Sequence, residues 1–202
     1  MAPIYKVWML NYRPAWFALG KPDQEALTGK IFNSLNKAGG KLLLQAVSLW
    51  ANEKWAAWGI EEFPSIEAVL QHAGTLWEVQ WYRYIKSWTT LGVLMEPEKE
   101  VVIPKAPIYE LAFFNVNEAW YRLSEAEKAG WKAKNEALFK QFGAQNALYC
   151  NSLWCSEGWL AWLVEAFPSQ EALMGHRLAT FESGWYQYVQ ATSLLGVKWP
   201  ME

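Results

Sequence analysis

The chain is poor in the residues that most often carry chemistry: of 202 residues, two are cysteine and two are histidine. Cys150 and Cys155 stand close together in the second half, with no further cysteine to complete a zinc set. Reduced, buried thiols are therefore expected, and neither a metal site nor a redox pair. Positive charge is not in excess, since the net charge is -2 and Lys, Arg, Asp and Glu are interspersed. Without a basic stripe, phosphate-driven binding has little electrostatic support, so nucleic acid is not an expected partner. No run approaches the roughly eighteen apolar residues that span a bilayer. The first residues, Met1-Ala2-Pro3-Ile4-Tyr5-Lys6, lack a long apolar core before a small-residue cleavage site, so a cytoplasmic protein without a membrane partner is expected. No glycine-rich phosphate loop precedes a helix, because Gly39-Gly40 follows one. Neither a Ser-His-Asp set nor clustered metal ligands stand out.

What the chain has is tryptophan, 15 residues of it, within a composition that is 52% hydrophobic and 19% charged. That balance belongs to a packed globular protein. Much of the tryptophan is explained by a repeat. Trp55, Trp58, Glu61, Phe63-Pro64-Ser65, Glu67-Ala68, His72, Glu78, Trp81-Tyr82, Tyr84 and Leu91-Gly92-Val93 all recur when 104 is added to their numbers, as in Trp159, Trp162, Phe167-Pro168-Ser169 and His176. The offset extends back without a gap to Pro3-Ile4-Tyr5 and Pro107-Ile108-Tyr109. One design is used twice, which divides the chain into units at 1–96 and 106–202 with a linker at 97–105. Tryptophans that recur in both copies are expected first to pack a core.

Each unit has the same pattern of elements. Residues 4–12 alternate as a strand that Arg13-Pro14 ends. Helices are predicted over 22–36 and 125–141, the second started by the capping box of Ser124 and Glu127 and both stopped by glycine. Strands follow over 42–50 and 146–154, then turns, then strands over 55–61 and 159–165. Ser65 and Ser169 cap helices that begin at the next residue and run to about 79 in the first copy, and a last strand covers 88–95. The order β-α-β-β-α-β is the split arrangement of a ferredoxin-like sheet with both helices on one face. The uncovered, apolar face of each sheet is expected to close on the other, giving an α+β fold of two tandem repeats joined as a pseudo-dimeric barrel.

Tandem units with a Phe-Pro-Ser-x-Glu-Ala-x-x-x-x-His helix start resemble the dimeric α+β barrel superfamily, fused into one chain. The runs Arg13-Pro14-Ala15-Trp16-Phe17-Ala18-Leu19 and Glu118-Ala119-Trp120-Tyr121-Arg122-Leu123-Ser124-Glu125-Ala126-Glu127 are similar to its darcynin-like branch, whose members largely lack assigned activity. The resemblance implies a fold more than a chemistry, because the superfamily includes cofactor-independent monooxygenases, isomerases and haem-binding enzymes.

The two histidines occupy one position of the repeat, and Glu61 and Glu165 end the strand just before their helix. A carboxylate orienting an imidazole suits general base work near neutral pH, so His72, His176, Glu61 and Glu165 are the candidate catalytic residues. The competing reading is that each imidazole only ties its helix to the sheet. By position in the superfamily, a cavity between sheet and helices would be lined by Tyr5, Asn11, Ser48, Trp50 and Trp55 beside His72, and by Tyr109, Asn115, Ser152, Trp154 and Trp159 beside His176. The expected ligand is a small apolar or aromatic molecule, with cofactor-free oxidation or isomerisation as the expected reaction. Two alternatives stand beside it: a non-catalytic protein whose tryptophans fill its own pockets, and a haem protein using a helix histidine. A base-stacking role for the sheet aromatics lacks the basic and glycine-aromatic signature that RNA modules carry. Lys6 opposite Glu110 is a charge reversal between the copies, expected to form an exposed ion pair across them.

Overall fold

The first strand sets the geometry, because its two faces carry different residues. In the computed structural model, which describes residues 2–98 and 100–199, β1 (Ile4–Tyr12) turns Tyr5, Val7 and Met9 into one core, while Ile4 packs in another. The chain continues through α1 (Pro14–Phe17), α2 (Lys21–Lys37), β2 (Lys41–Val47), β3 (Ala57–Phe63), α3 (Ile66–Glu78), α4 (Trp81–Tyr84) and β4 (Ile85–Leu94). The second half runs β5 (Ile108–Val116), α5 (Glu118–Tyr121), α6 (Glu125–Gln141), β6 (Gln145–Asn151), β7 (Ala161–Phe167), α7 (Gln170–Glu182), a 3-10 turn (Trp185–Gln187) and β8 (Val189–Lys198).

Local chemistry starts and stops these elements as the sequence indicates. The Ser65 and Ser169 hydroxyls accept the amides of Ala68 and Ala172, and Ser124 with Glu127 forms a full capping box. Gly39 and Gly143, at φ +72° and +63°, end α2 and α6 in the left-handed region that glycine occupies without strain. The predicted strand ends are displaced: the segments 48–56 and 152–160, expected to contribute strand residues, are loops. Ser48 O accepts the amides of Ala51 and Asn52, and the Asn52 side chain accepts those of Lys54 and Trp55. These local bonds compete with a ladder and win.

All eight strands pair antiparallel in one closed barrel, in the order β1-β3-β2-β8-β5-β7-β6-β4. Within each half the ladders are long, with Ile4 to Leu10 against Phe63 to Ala57 in one and Ile108 to Phe114 against Phe167 to Ala161 in the other. Between the halves they are short: Ala46 and Val47 meet Lys198 and Val197, and Val93 and Leu94 meet Asn151 and Cys150.

Side chains from both halves fill the barrel interior. Trp58 and Trp162 are fully buried there with Tyr5, Val7, Leu111 and Val164. Burying an indole of this size contributes roughly 4–6 kcal/mol before entropy is counted. Each indole rests against a glycine of the other half. A Cβ on Gly196 would lie 2.7 Å from Trp58 Nε1, and one on Gly92 would lie 2.8 Å from Trp162 Nε1. Any larger residue at either glycine pushes an indole out of a full core. Val101, Ile103 and Ala106 also pack against this core, and the Tyr109 hydroxyl donates to Pro104 O and accepts the Ala106 amide. The segment read as a linker is thus partly built into the barrel.

Outside the barrel, α2 and α3 cover the first sheet over Leu35, Phe63, Ala68 and Val69, and α6 and α7 cover the second over Phe167 and Leu173. Among the described residues, no helix is long and apolar enough to cross a membrane.

Candidate functional site

The sequence-predicted site residues fall on opposite sides of the sheets. Tyr5, Tyr109 and Trp55 belong to the barrel interior, and Trp159 packs against it. His72 and His176 lie on the outer side under the helices, where His72 packs on Phe63 and His176 on Phe167. Alternation along a strand makes this separation unavoidable, so the expected pocket joining tyrosine, tryptophan and histidine does not assemble. The polar residues of that set hold loops instead. Asn11 donates to Lys54 O; Asn115 donates to Gly158 O and accepts the Leu160 amide. Ser48 donates to Leu195 O across the halves, and Ser152 to Trp159 O. Trp50 and Trp154 are 53% and 49% exposed.

The carboxylates reach cations rather than the imidazoles. Glu61 pairs with Lys6 at 2.9 Å, both buried. Glu165 and Glu110 share the guanidinium of Arg177, with Arg177 Nε donating to Glu110 at 3.0 Å. The expected exposed pair between Lys6 and Glu110 is therefore replaced by a buried pair in each half: strands β1 and β5 place these residues on the outer faces of different sheets, each beside its own β3 or β7 glutamate. Burial, opposed by the Arg177 charge and reinforced by Glu110, pushes the Glu165 carboxyl up to about 7.

The two histidines have unlike partners. The Ser34 hydroxyl donates to Ile31 O, and its oxygen lies 2.7 Å from His72 Nδ1, from which it accepts. His176 Nδ1 is buried with no partner among the described residues, enclosed by Phe139, Phe142 and Phe167 with ring centroids 4.8, 6.1 and 5.5 Å away. Burial holds both imidazoles at about 4, aided by Lys6 at His72 and by Arg177 at His176. Both are therefore neutral near pH 7.

Beside the Ser34–His72 pair, α2 and α3 leave a groove of about 320 Å³, lined by Lys30, Asn33, Ser34, Lys37, Thr75, Glu78 and Val79. Its size falls at the lower end of ligand sites. A smaller cleft of about 40 Å³ lies between β6 and the segment carrying Glu96, Glu100 and Val101. Ser34, Lys30 and Lys37 were not legible as site residues, because nothing local in α2 says which helix it packs against. Arg177 had a signal: the change from Lys6 to Glu110 at one repeat position demands a new cation nearby.

Cys150 is buried, with burial pushing its thiol up, and Cys155 is exposed with its thiol directed at Leu91 O. Only the first matches the expectation of buried thiols. Among the described residues no group of three or more metal-ligating side chains comes together.

The sequence matches no protein-family model and no curated protein. Solved structures do match over nearly the whole chain. A mutant chlorite dismutase from Candidatus Nitrospira defluvii superposes with a TM-score of 0.81 at 8% identity, covering 99% of this chain and 93% of that one. A structure described as a novel heme-binding protein from Thermus thermophilus gives 0.76 at 13% identity, covering 98% and 92%. At such identities the likeness is one of fold: a mixed α+β architecture around antiparallel strands, like that of the chlorite dismutase structures.

Proposed function

We propose that the chain binds a small molecule in the groove between α2 and α3, with Ser34 on its wall and His72 held behind Ser34. The observation that carries this reading is the buried 2.7 Å contact from His72 to a hydroxyl on the groove wall. His72 is neutral near pH 7, and its contact with Ser34, whose own proton goes to Ile31 O, orients the imidazole, as a base for cofactor-free isomerisation or oxidation requires. The polar lining favours a polar ligand over the apolar or aromatic one that the tryptophans suggested. The test is protein-observed NMR with a fragment library. Saturable shifts at His72 and Thr75, abolished when Asn33→Trp fills the groove, support the site; shifts confined to other surfaces remove it.

Haem is the second reading, and its support is the described ligand of the Thermus neighbour. Haem iron needs an imidazole, thiolate, thioether or phenolate facing an open slot. His72 and His176 are both buried under the helices, His176 is enclosed by three phenylalanine rings, and neither borders the groove or the cleft. The histidines in this arrangement do not fit a haem. Titration with haemin decides it: a saturable one-to-one Soret band sensitive to His72→Ala or His176→Ala would reinstate haem. We also infer that 1–96 and 106–202 are fused ferredoxin-like copies of darcynin-like type, supported by the constant offset of residues and of strand register.

A further inference from the structure

The charges around the groove between α2 and α3 are divided by wall. On α2, Lys30 and Lys37 stand seven residues apart, two helical turns or about 10 Å along the axis, with Asn33 and Ser34 between them. On α3, Thr75 and Glu78 face them. No ion pair joins Lys30, Lys37 or Glu78 to any partner among the described residues, although Lys21, Lys41 and Lys128 nearby in their halves each find one. Glu78 is the last residue of α3, where the free carbonyls already make the helix end negative. A carboxylate there is unfavourable by itself and adds to the attraction for a cation.

The second half shows that this arrangement is not required by the fold. Adding 104 to each number turns Asn33 into Ala137, Ser34 into Leu138, Lys37 into Gln141 and Thr75 into Ala179. Lys134, at the position of Lys30, closes onto Ser183 O and lies over the Trp131 ring. The same helix pair thus packs with Lys134 and Glu182 kept but without the counterparts of Asn33, Ser34, Lys37 and Thr75 in one half, and keeps the full polar set in the other.

We propose that the α2–α3 groove binds a small zwitterion, with its carboxylate between Lys30 and Lys37 beside Asn33 and its ammonium at Glu78. This rests on the groove being the ligand site. Ser34 places a hydroxyl between the two charged ends, and through it the ligand couples to the His72 imidazole. An extended amino acid with separated charges fits the spacing better than an α-amino acid, whose charges are adjacent.

The experiment is titration of the full chain with four probes of similar length: 6-aminohexanoate, glutarate, cadaverine and pentanol. Binding is read by calorimetry and by NMR shifts at His72 and Thr75. The expected result is saturable binding of 6-aminohexanoate, weaker or absent for the three others and falling with added salt. Lys37→Gln and Glu78→Gln should each weaken it by about three- to tenfold, and both are exposed positions where folding is not at risk. If glutarate, cadaverine or pentanol shifts His72 and binds more tightly than 6-aminohexanoate, the zwitterion is overturned while the site stands. If no probe or fragment moves His72 or Thr75, both the ligand class and the site are lost. Binding of 6-aminohexanoate that neither substitution changes also overturns the proposal.

Discussion

The two halves share a sequence pattern and a strand register, yet they solve the same packing problem with different chemistry. On the outer face of the first sheet Trp8 lies across Gly59, where a Cβ would be 2.4 Å from the indole. On the second sheet the same two positions are Ala112 and Leu163. Beneath the helices, the first half neutralises one buried glutamate with Lys6, and the second neutralises two with Arg177. His72 has a hydroxyl partner where His176 has three phenylalanines. The lesson is that the backbone plan tolerates wide variation on its outer faces while Trp55 and Trp58 keep their counterparts Trp159 and Trp162 in the barrel interior.

The largest expected effect tests that interior. Replacing Trp58 or Trp162 by Ala should each cost about 3–5 kcal/mol in urea unfolding, because each leaves a cavity at the junction of the halves. The Phe variants sharpen the comparison. Trp162 Nε1 donates to Leu91 O, whereas Trp58 Nε1 is buried without a partner among the described residues. Trp162→Phe should therefore be the costlier by about 1 kcal/mol, and equal costs would show that the Leu91 bond contributes nothing.

Next in size are the buried cations. Arg177→Met leaves two buried carboxylates and should destabilise by about 3–5 kcal/mol near neutral pH, with part of the loss recovered on acidification as Glu165 takes up a proton. Lys6→Met leaves only Glu61 and should cost less. Chemical denaturation at two pH values separates them, and a larger loss for Lys6→Met would reverse the ranking of the halves.

The titrations come third. The folded histidines stay neutral down to about 4, while the unfolded chain gains protons below 6.5. Their contribution to stability is thus complete above 6.5 and falls as pH drops to about 4. Glu165 acts in the opposite sense, since its folded value of about 7 exceeds the ordinary 4.5. Its contribution is complete below 4.5 and is lost as pH rises toward 7. Removing both histidines should leave a profile that declines from 4.5 to 7, and a profile that still rises there would refute the assignment. The smallest effect is that of the histidines near neutral pH: His72→Leu should cost about 1 kcal/mol through the lost Ser34 bond, whereas His176→Leu, which removes an unpartnered polar atom, should be near neutral.

Much of the architecture was readable from residues alone. The capping box at Ser124, the serine caps at Ser65 and Ser169 and the glycine stops rest on bonds within a few residues, so local sequence reports them. The strands near Trp50 and Trp55 were misread because the side chain of Asn52 offers the backbone a turn that hydrophobic periodicity does not register. The candidate site was read less well. Glu61 and His72 are close in sequence and lie under the same helices, but the choice of Lys6 and Ser34 as their partners depends on contacts 55 and 38 residues apart. Spacing along one helix does not report such choices.

The ladders that join the halves have a consequence of their own. Each is only two residue pairs long, against six to eight within a half. Backbone hydrogen bonds at Ala46, Val47, Val93 and Leu94 have the fewest neighbours to share the work of opening. Transient entry of water into the interior should begin along these two seams, as a book opens at its edges while its spine of indoles stays bound.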